Sequence, residues 1–429
     1  MSSHTTIWNE RASEQTWTAV GVLLRPLQVG LAFPSLLYLG TLAVFLFRPP
    51  DVELYYADRI AFCILVFFVL LRGLATRERL PWVAGISWPM LGLIGLAVVR
   101  ALREPFDTQT WSLVASKFVV PFVLFHLSIL VFNKSNARTH FEIFTLIVLG
   151  YLIFTAIAFL VGAHSLIYPS FILDESLGHH VNRARGPFLQ AVANGVALNV
   201  LGLTAIVFSQ TRQKLVLLLW IALPVAILAT MTRAVWISFA LSTVAVAIRL
   251  GQRRMLQVCS VIAAVGLLAG LVIGLGNTTL QDSLSDRAGE RGPIEVRFAV
   301  YQAGWEMFRE HPVSGWTAGR MYEELARRMQ GYRLRAFYVH NTYLSMLIEF
   351  GIPGLLLYLI LFFNLFRLSR PRMQIRAECG WRANLRRVFP VLLGVFLFNA
   401  LFVDMVYQFV NGLLFTIAGI WCARWEEVA

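Results

Sequence analysis

The sequence predicts an all-α integral membrane protein of about 12 transmembrane helices with one large polar loop late in the chain. Three observations carry that class. Hydrophobic residues make up 58% of the 429-residue chain and charged residues only 14%, with a mean hydropathy of +0.66. A soluble globular chain is nearer about 45–50% apolar and about 25% charged. The apolar residues also come in continuous runs of about 20, whereas membrane strands alternate and span in about 10 residues. Finally, a single long polar segment, Asn277 to Asn341, interrupts the runs.

Taken in order, hydropathy windows place helices at 27–47, 59–75, 82–99, 113–132, 141–162, 189–209, 214–231, 234–250, 255–275, 342–366, 387–402 and 405–423. Only Thr232-Arg233 separates 214–231 from 234–250, and only the region of Asp404 separates the last pair, so either pair could read as one kinked helix. The chain divides into an N-terminal helical region (residues 1–276), the loop (residues 277–341) and a C-terminal helical region (residues 342–429).

Lysine and arginine in the short loops set the orientation. Arg72, Arg77, Arg138, Arg212, Lys214, Arg253, Arg254 and the arginine-rich stretch Arg367 to Arg387 all fall on one side. That side is expected to be cytoplasmic, with both termini on it and the long segment outside. The formal charge of +13 follows from this topology, with anionic lipid-linked ligands as a further source. Nucleic acid is excluded as a partner because the arginines are scattered over loops. Met1 to Arg25 is polar and mixed, so no cleavable signal peptide is expected. Cys63, Cys259, Cys379 and Cys422 all lie away from the long segment, which argues against a disulfide framework or a cysteine zinc site.

Within the long segment, Gln281 to Gly292 is polar and glycine-bearing. Ile294 to His311 reads as an amphipathic helix with Phe298, Tyr301, Trp305 and Phe308 on one stripe. His311-Pro312-Val313-Ser314-Gly315-Trp316 stops it, and a second short helix is expected over Ala318 to Gln330. Such helices lie along a membrane face and roof a cavity.

Six residues could carry chemistry. A helix starting at Asn341 or Thr342 would put His340 at its positive end, which favours a neutral imidazole able to take a proton; the plainer role is an interfacial cap. Arg185, in Arg183-Ala184-Arg185-Gly186-Pro187-Phe188, and Arg233, in a tight turn, lie on the side where basic residues are depleted. Guanidinium groups there suit pyrophosphate oxygens at headgroup depth, or snorkel to lipid phosphate. Arg297 sits one residue off the aromatic stripe. Glu349 and Asp404 are intramembrane acids, read either as partners of an arginine from the opposite face or as contributors to the chemistry. No Asp-x-Asp pair, Walker loop, His-Glu-x-x-His or Gly-x-Ser-x-Gly occurs in the sequence, which is compatible with a reaction that uses no metal or other cofactor on an already activated substrate.

Three stretches together resemble the O-antigen ligase family, which groups lipopolysaccharide O-antigen ligases with related polymerases and oligosaccharide transferases. They are Arg183 to Phe188 with Asn194-Gly195; Thr230-Met231-Thr232-Arg233-Ala234; and Arg297 through Trp316 to His340-Asn341-Thr342-Tyr343-Leu344, followed by Glu349-Phe350-Gly351-Ile352-Pro353-Gly354. Relatives commonly carry a serine before the arginine where this chain has Thr232. The resemblance implies a membrane-embedded glycosyltransferase of the GT-C type, inverting and metal-independent. Its donor would be a glycan on undecaprenyl pyrophosphate in the bacterial inner membrane, and its acceptor a sugar hydroxyl of lipid A core on the periplasmic side. By position His340 matches the family's essential loop histidine, and Arg185 and Arg233 match its essential arginines. A polymerase would use the same donor; the chain has neither the additional domain nor the longer loop of some protein-glycosylating relatives. A polytopic transporter or flippase is the alternative from another class, but no repeat of two halves is visible.

Overall fold

The computed structural model describes residues 32–48, 56–78, 80–103, 105–133, 135–178, 181–209, 212–251, 292–329, 339–370 and 381–423. Helices carry the architecture, and no strand occurs among these residues. They are α1 (Pro34–Leu46), α2 (Ala57–Thr76), α3 (Ala84–Ala101), α4 (Thr108–Val114, continuing to Val131), α5 (Ser135–Leu160), α6 (Ala191–Phe208), α7 (Gln213–Ala229) and α8 (Arg233–Arg249). After them come α9 (Gly292–Glu310), α10 (Ala318–Arg328), α11 (Thr342–Ser369), α12 (Trp381–Asn399) and α13 (Gln408–Cys422). A helix stands at every expected apolar stretch except 255–275, which lies outside the described residues, as does 281–291. Six of the described helices are long and apolar enough to cross a membrane, and α1, α7 and α13 are shorter apolar helices. The described residues are thus all-helical, with the helices of a membrane protein.

Every residue of α6 is buried, enclosed by α5, α7, α8 and α12. Its small, apolar sequence is what an enclosed helix requires, because small side chains let neighbouring backbones approach. A Cβ on Gly195 would meet Val235 of α8 at 2.4 Å, and one on Gly202 would meet Leu223 of α7 at 2.4 Å. Polar pairs tie the same helices: Ser242 donates to Asn199 Oδ1 at 3.1 Å and the Asn399 amide donates to Ser238 Oγ at 2.9 Å. By contrast α2, with Ile60, Phe67 and Leu74 exposed, has the character of a helix facing lipid.

Both doubtful pairs are separate helices. Residues 230–232 part α7 from α8, with Met231 in the left-handed region (φ 47°). Residues 400–407 part α12 from α13. Two helices are broken. In α4 the residues Ala115–Val119 form a π turn just before Pro121, which has no N–H to give the Lys117 carbonyl. In α11 the backbone breaks at Gly351 (φ 66°, ψ −166°), two residues before Pro353.

The 292–329 region forms two helices as expected, with α10 ending at Arg328. The aromatic stripe on α9, however, is not its packing face. Val300, Ala303 and Met307 are the buried residues, packed with Met321, Leu325, Val339 and Ile348, while Phe298 and Trp305 are exposed. The reason is close approach: a Cβ on Gly304 would lie 2.9 Å from Ile348 of α11, so the contact face of α9 is built from small and flexible side chains.

Candidate functional site

The site is built around the start of α11. Asn341 caps it: its side-chain oxygen accepts from the backbone N–H of Tyr343 (3.0 Å) and Leu344 (3.1 Å), satisfying donors a helix start leaves free. His340 precedes the cap, half-buried and in the left-handed region (φ 50°). Tyr301 of α9 donates at 3.4 Å to the carbonyl of His340 or of Leu401, so the histidine's backbone lies between α9 and the 400–407 loop. Burial raises the Tyr301 phenol, and the charge of Arg297, one turn earlier, pulls it back down.

Thr342 fastens the helix start to that loop. Its N–H donates to Ala400 O at 2.8 Å, its hydroxyl donates to Val403 O at 2.9 Å, and the Met405 N–H donates to the same hydroxyl at 3.1 Å. At the other end of this half-helix the turn after α9 plugs the break. Trp316 N donates to Ile348 O at 2.6 Å, and Ile352 N donates to Pro312 O at 2.8 Å. The two motifs His311-Pro312-Val313-Ser314-Gly315-Trp316 and Glu349-Phe350-Gly351-Ile352-Pro353-Gly354 are thus one interlocked contact, with the Arg100 guanidinium donating to Val313 O and Gly315 O at 3.4 Å each.

Between these ends lies a buried polar cluster. Lys117 Nζ, in the π turn of α4, is 3.2 Å from Glu349 Oε1 and 3.4 Å from Asp404 Oδ1. Ser345 Oγ is 2.8 Å from Glu349 Oε1 and 2.9 Å from Asp404 Oδ2. The partner of the two acids is therefore this lysine and not an arginine from the opposite face. Its signal was a single lysine inside the apolar run 113–132, which an averaged hydropathy window hides.

The arginines take three different positions. Arg185 is buried (1% exposed), and its fork donates to the carbonyls of Ile172 (2.8 Å), Asp174 and Leu177. It organises the 170–178 segment through the three nitrogens of one rigid fork, each aimed at a different carbonyl. Gly186 (φ 56°) and the Asn194 side chain, which donates to Ala184 O at 2.8 Å, set the turn around it. Ala184 N donates to Ala229 O at 3.0 Å, joining this turn to the 230–232 turn. Arg233, the first residue of α8, is exposed there. The ring of Phe188 meets that of Tyr407 at 6.3 Å, which brings the same turn beside the 400–407 loop. Arg297 is half-buried on α9.

Two arginines of α10 are paired with acids. Arg327 and Arg328 donate to Glu324 at 2.7 Å, and Arg328 also to Glu310 at 2.6 Å; hydrogen bonding from Arg327, with Arg328 adding to it, pushes the Glu324 carboxyl down to about 2. The motif segments singled out in the sequence therefore meet at one end of the bundle, through the contacts 184–229, 188–407, 342–400 and 316–348.

Residues 215–359 match the family model described as O-antigen ligase. No curated protein matches the chain. The matched stretch runs from α7 through Arg233, Arg297 and His340 and past the break at Gly351, so over residues 215–359, about a third of the chain, the protein is similar to the O-antigen ligase family.

Proposed function

We propose that the chain transfers a glycan from undecaprenyl pyrophosphate to a sugar hydroxyl of lipid A core, at the periplasmic face of the bacterial inner membrane. The family assignment supports a ligase- or polymerase-like glycosyltransferase acting in a membrane on lipid-linked substrates. The observation that carries the finer reading is the position of His340. It sits ahead of a capped helix start, half-buried, where the family motifs converge.

In this reading a ring nitrogen of His340 takes the proton from the acceptor hydroxyl. The hydroxyl oxygen attacks the anomeric carbon from the side opposite the pyrophosphate, the carbon–pyrophosphate bond breaks, and undecaprenyl pyrophosphate leaves with its electrons. Configuration inverts. Arg233 and Arg297 meet the pyrophosphate as its charge develops. Arg185 serves the same end by holding the 172–177 backbone beside Arg233's turn. The phosphoester bond of the donor already supplies the driving force, so no nucleotide takes part.

The test offers the purified protein in detergent one lipid-linked glycan donor and two acceptors in separate reactions, core lipid A and a second lipid-linked glycan. Glycan appearing on core lipid A is the expected result. Product formed only on the lipid carrier would replace the ligase by a polymerase, and no transfer to either would reject the enzyme reading.

A further inference from the structure

We propose that Lys117, Ser345, Glu349 and Asp404 form a polar clasp that sets the pose of His340, with Lys117 and Asp404 acting as positioning residues for the transfer. The inference rests on the reading of His340 as the base and deepens it. The break at Gly351 separates residues 342–350 from the rest of α11, leaving a short rod of about 13 Å by helix rise with His340 at its tip. Such a rod inherits no direction from the long half of its helix. Its aim depends on what grips it.

Besides the contacts at its two ends, two neighbouring segments grip the rod along its length. Asp404 belongs to the 400–407 loop, Lys117 to the π turn of α4, and Ser345 and Glu349, one turn apart, to the rod itself. The distances of 2.8–3.4 Å among them make one connected network from three separate pieces of chain. Glu349 and Asp404 are buried at 3% and 5% exposure. The surroundings are apolar: Phe118, Tyr358, Phe362 and Met405 line the adjoining cavity with Lys117. Charges in such a place are costly, and apolar residues of similar volume often hold a core together at least as well. What a hydrogen-bonded ionic network adds over apolar packing is a single register, because its donors and acceptors match in only one arrangement. The π turn fits that role, since one additional residue in the turn re-aims Lys117 toward the rod.

A clasp acting through His340 leaves a signature that a general stabilising role does not. With the full-length protein in detergent, Lys117→Met should lower kcat by about 10²-fold, the scale of a misplacement of about 1 Å, with the donor KM unchanged. In a His340→Ala background the same substitution should change kcat less than about twofold, because the two residues act as one unit. Asp404→Asn keeps the side-chain shape and should show the same non-additivity; it carries the test where Lys117→Met does not fold. A drop in kcat of equal size in both backgrounds would overturn the clasp while leaving His340 as the base. A His340→Ala protein that transfers at the wild-type rate would instead overturn the base, and the clasp with it.

Discussion

Gly315 and Glu349 are in backbone contact: a Cβ on Gly315 would lie 2.5 Å from the Glu349 carbonyl oxygen. Gly351 answers it from the other side, where a Cβ would lie 2.6 Å from the carbonyl oxygens of both Pro312 and Val313. Both glycines also have positive φ, 62° and 66°, the region where a side chain is strained. The end of α9 and the break in α11 are therefore mutually shaped, and neither glycine can be filled without parting them.

Gly351→Ala should accordingly uncouple the α9 turn from the half-helix that carries His340. The expected outcome is a destabilisation of at least about 1–2 kcal/mol from the backbone conformation alone, together with loss of transfer. Gly150→Ala, where nothing lies within 4 Å of the added Cβ, is the control and should leave transfer unchanged without lowering stability, since alanine is the better helix former. Thermal unfolding in detergent alongside the transfer assay decides it; a fully active, equally stable Gly351→Ala protein would remove the interlock from the account.

The contact that sets α8, and so Arg233, against α6 can be probed by rescue. Gly195→Ala forces a methyl group onto Val235 and should cost about 1–3 kcal/mol by overpacking. Trimming the partner in the Gly195→Ala/Val235→Ala protein should recover most of that loss, read as a midpoint of unfolding. Failure of the second substitution to help would place the strain elsewhere.

Much of this organisation was legible in the sequence, for identifiable reasons. A run such as 191–208 announces a transmembrane helix through its mean hydropathy, though not its burial, and His311-Pro312 announces a helix stop. The start of α11 was visible too, because Asn341 is a strong cap and the motif around it is specific. What sequence reasoning could not supply were relations between distant segments. The Glu-x-Gly-x-x-Gly pattern was recognisable, but its purpose is a contact with residues 312–316. Lys117 vanished into the average of its apolar run. The stripe Phe298, Tyr301, Trp305 and Phe308 has the period of a packing face, yet close approach to α11 at Gly304 gave that face to Val300, Ala303 and Met307. Arg185 carries a family motif, and only the fold shows its guanidinium engaged by three backbone carbonyls.

Arg233, exposed at the first position of α8, tests the pyrophosphate role through chemistry rather than charge alone. Lysine keeps the charge but loses the bidentate fork. Arg233→Lys should therefore be nearly as damaging to transfer as Arg233→Ala, with both proteins folded and present at normal level. An alanine variant with full activity would assign Arg233 to lipid phosphate.

The most direct measurement concerns His340. Purified His340→Ala protein is assayed for equilibrium binding of the undecaprenyl-pyrophosphate glycan and, separately, for the rate of transfer to core lipid A. With the donor held by arginines and the histidine removing only a proton, as proposed, binding should match the wild type while the rate falls by about 10²–10⁴-fold, the usual cost of losing a general base. Transfer at the wild-type rate would reduce His340 to a residue that precedes a helix cap and contradict the central claim.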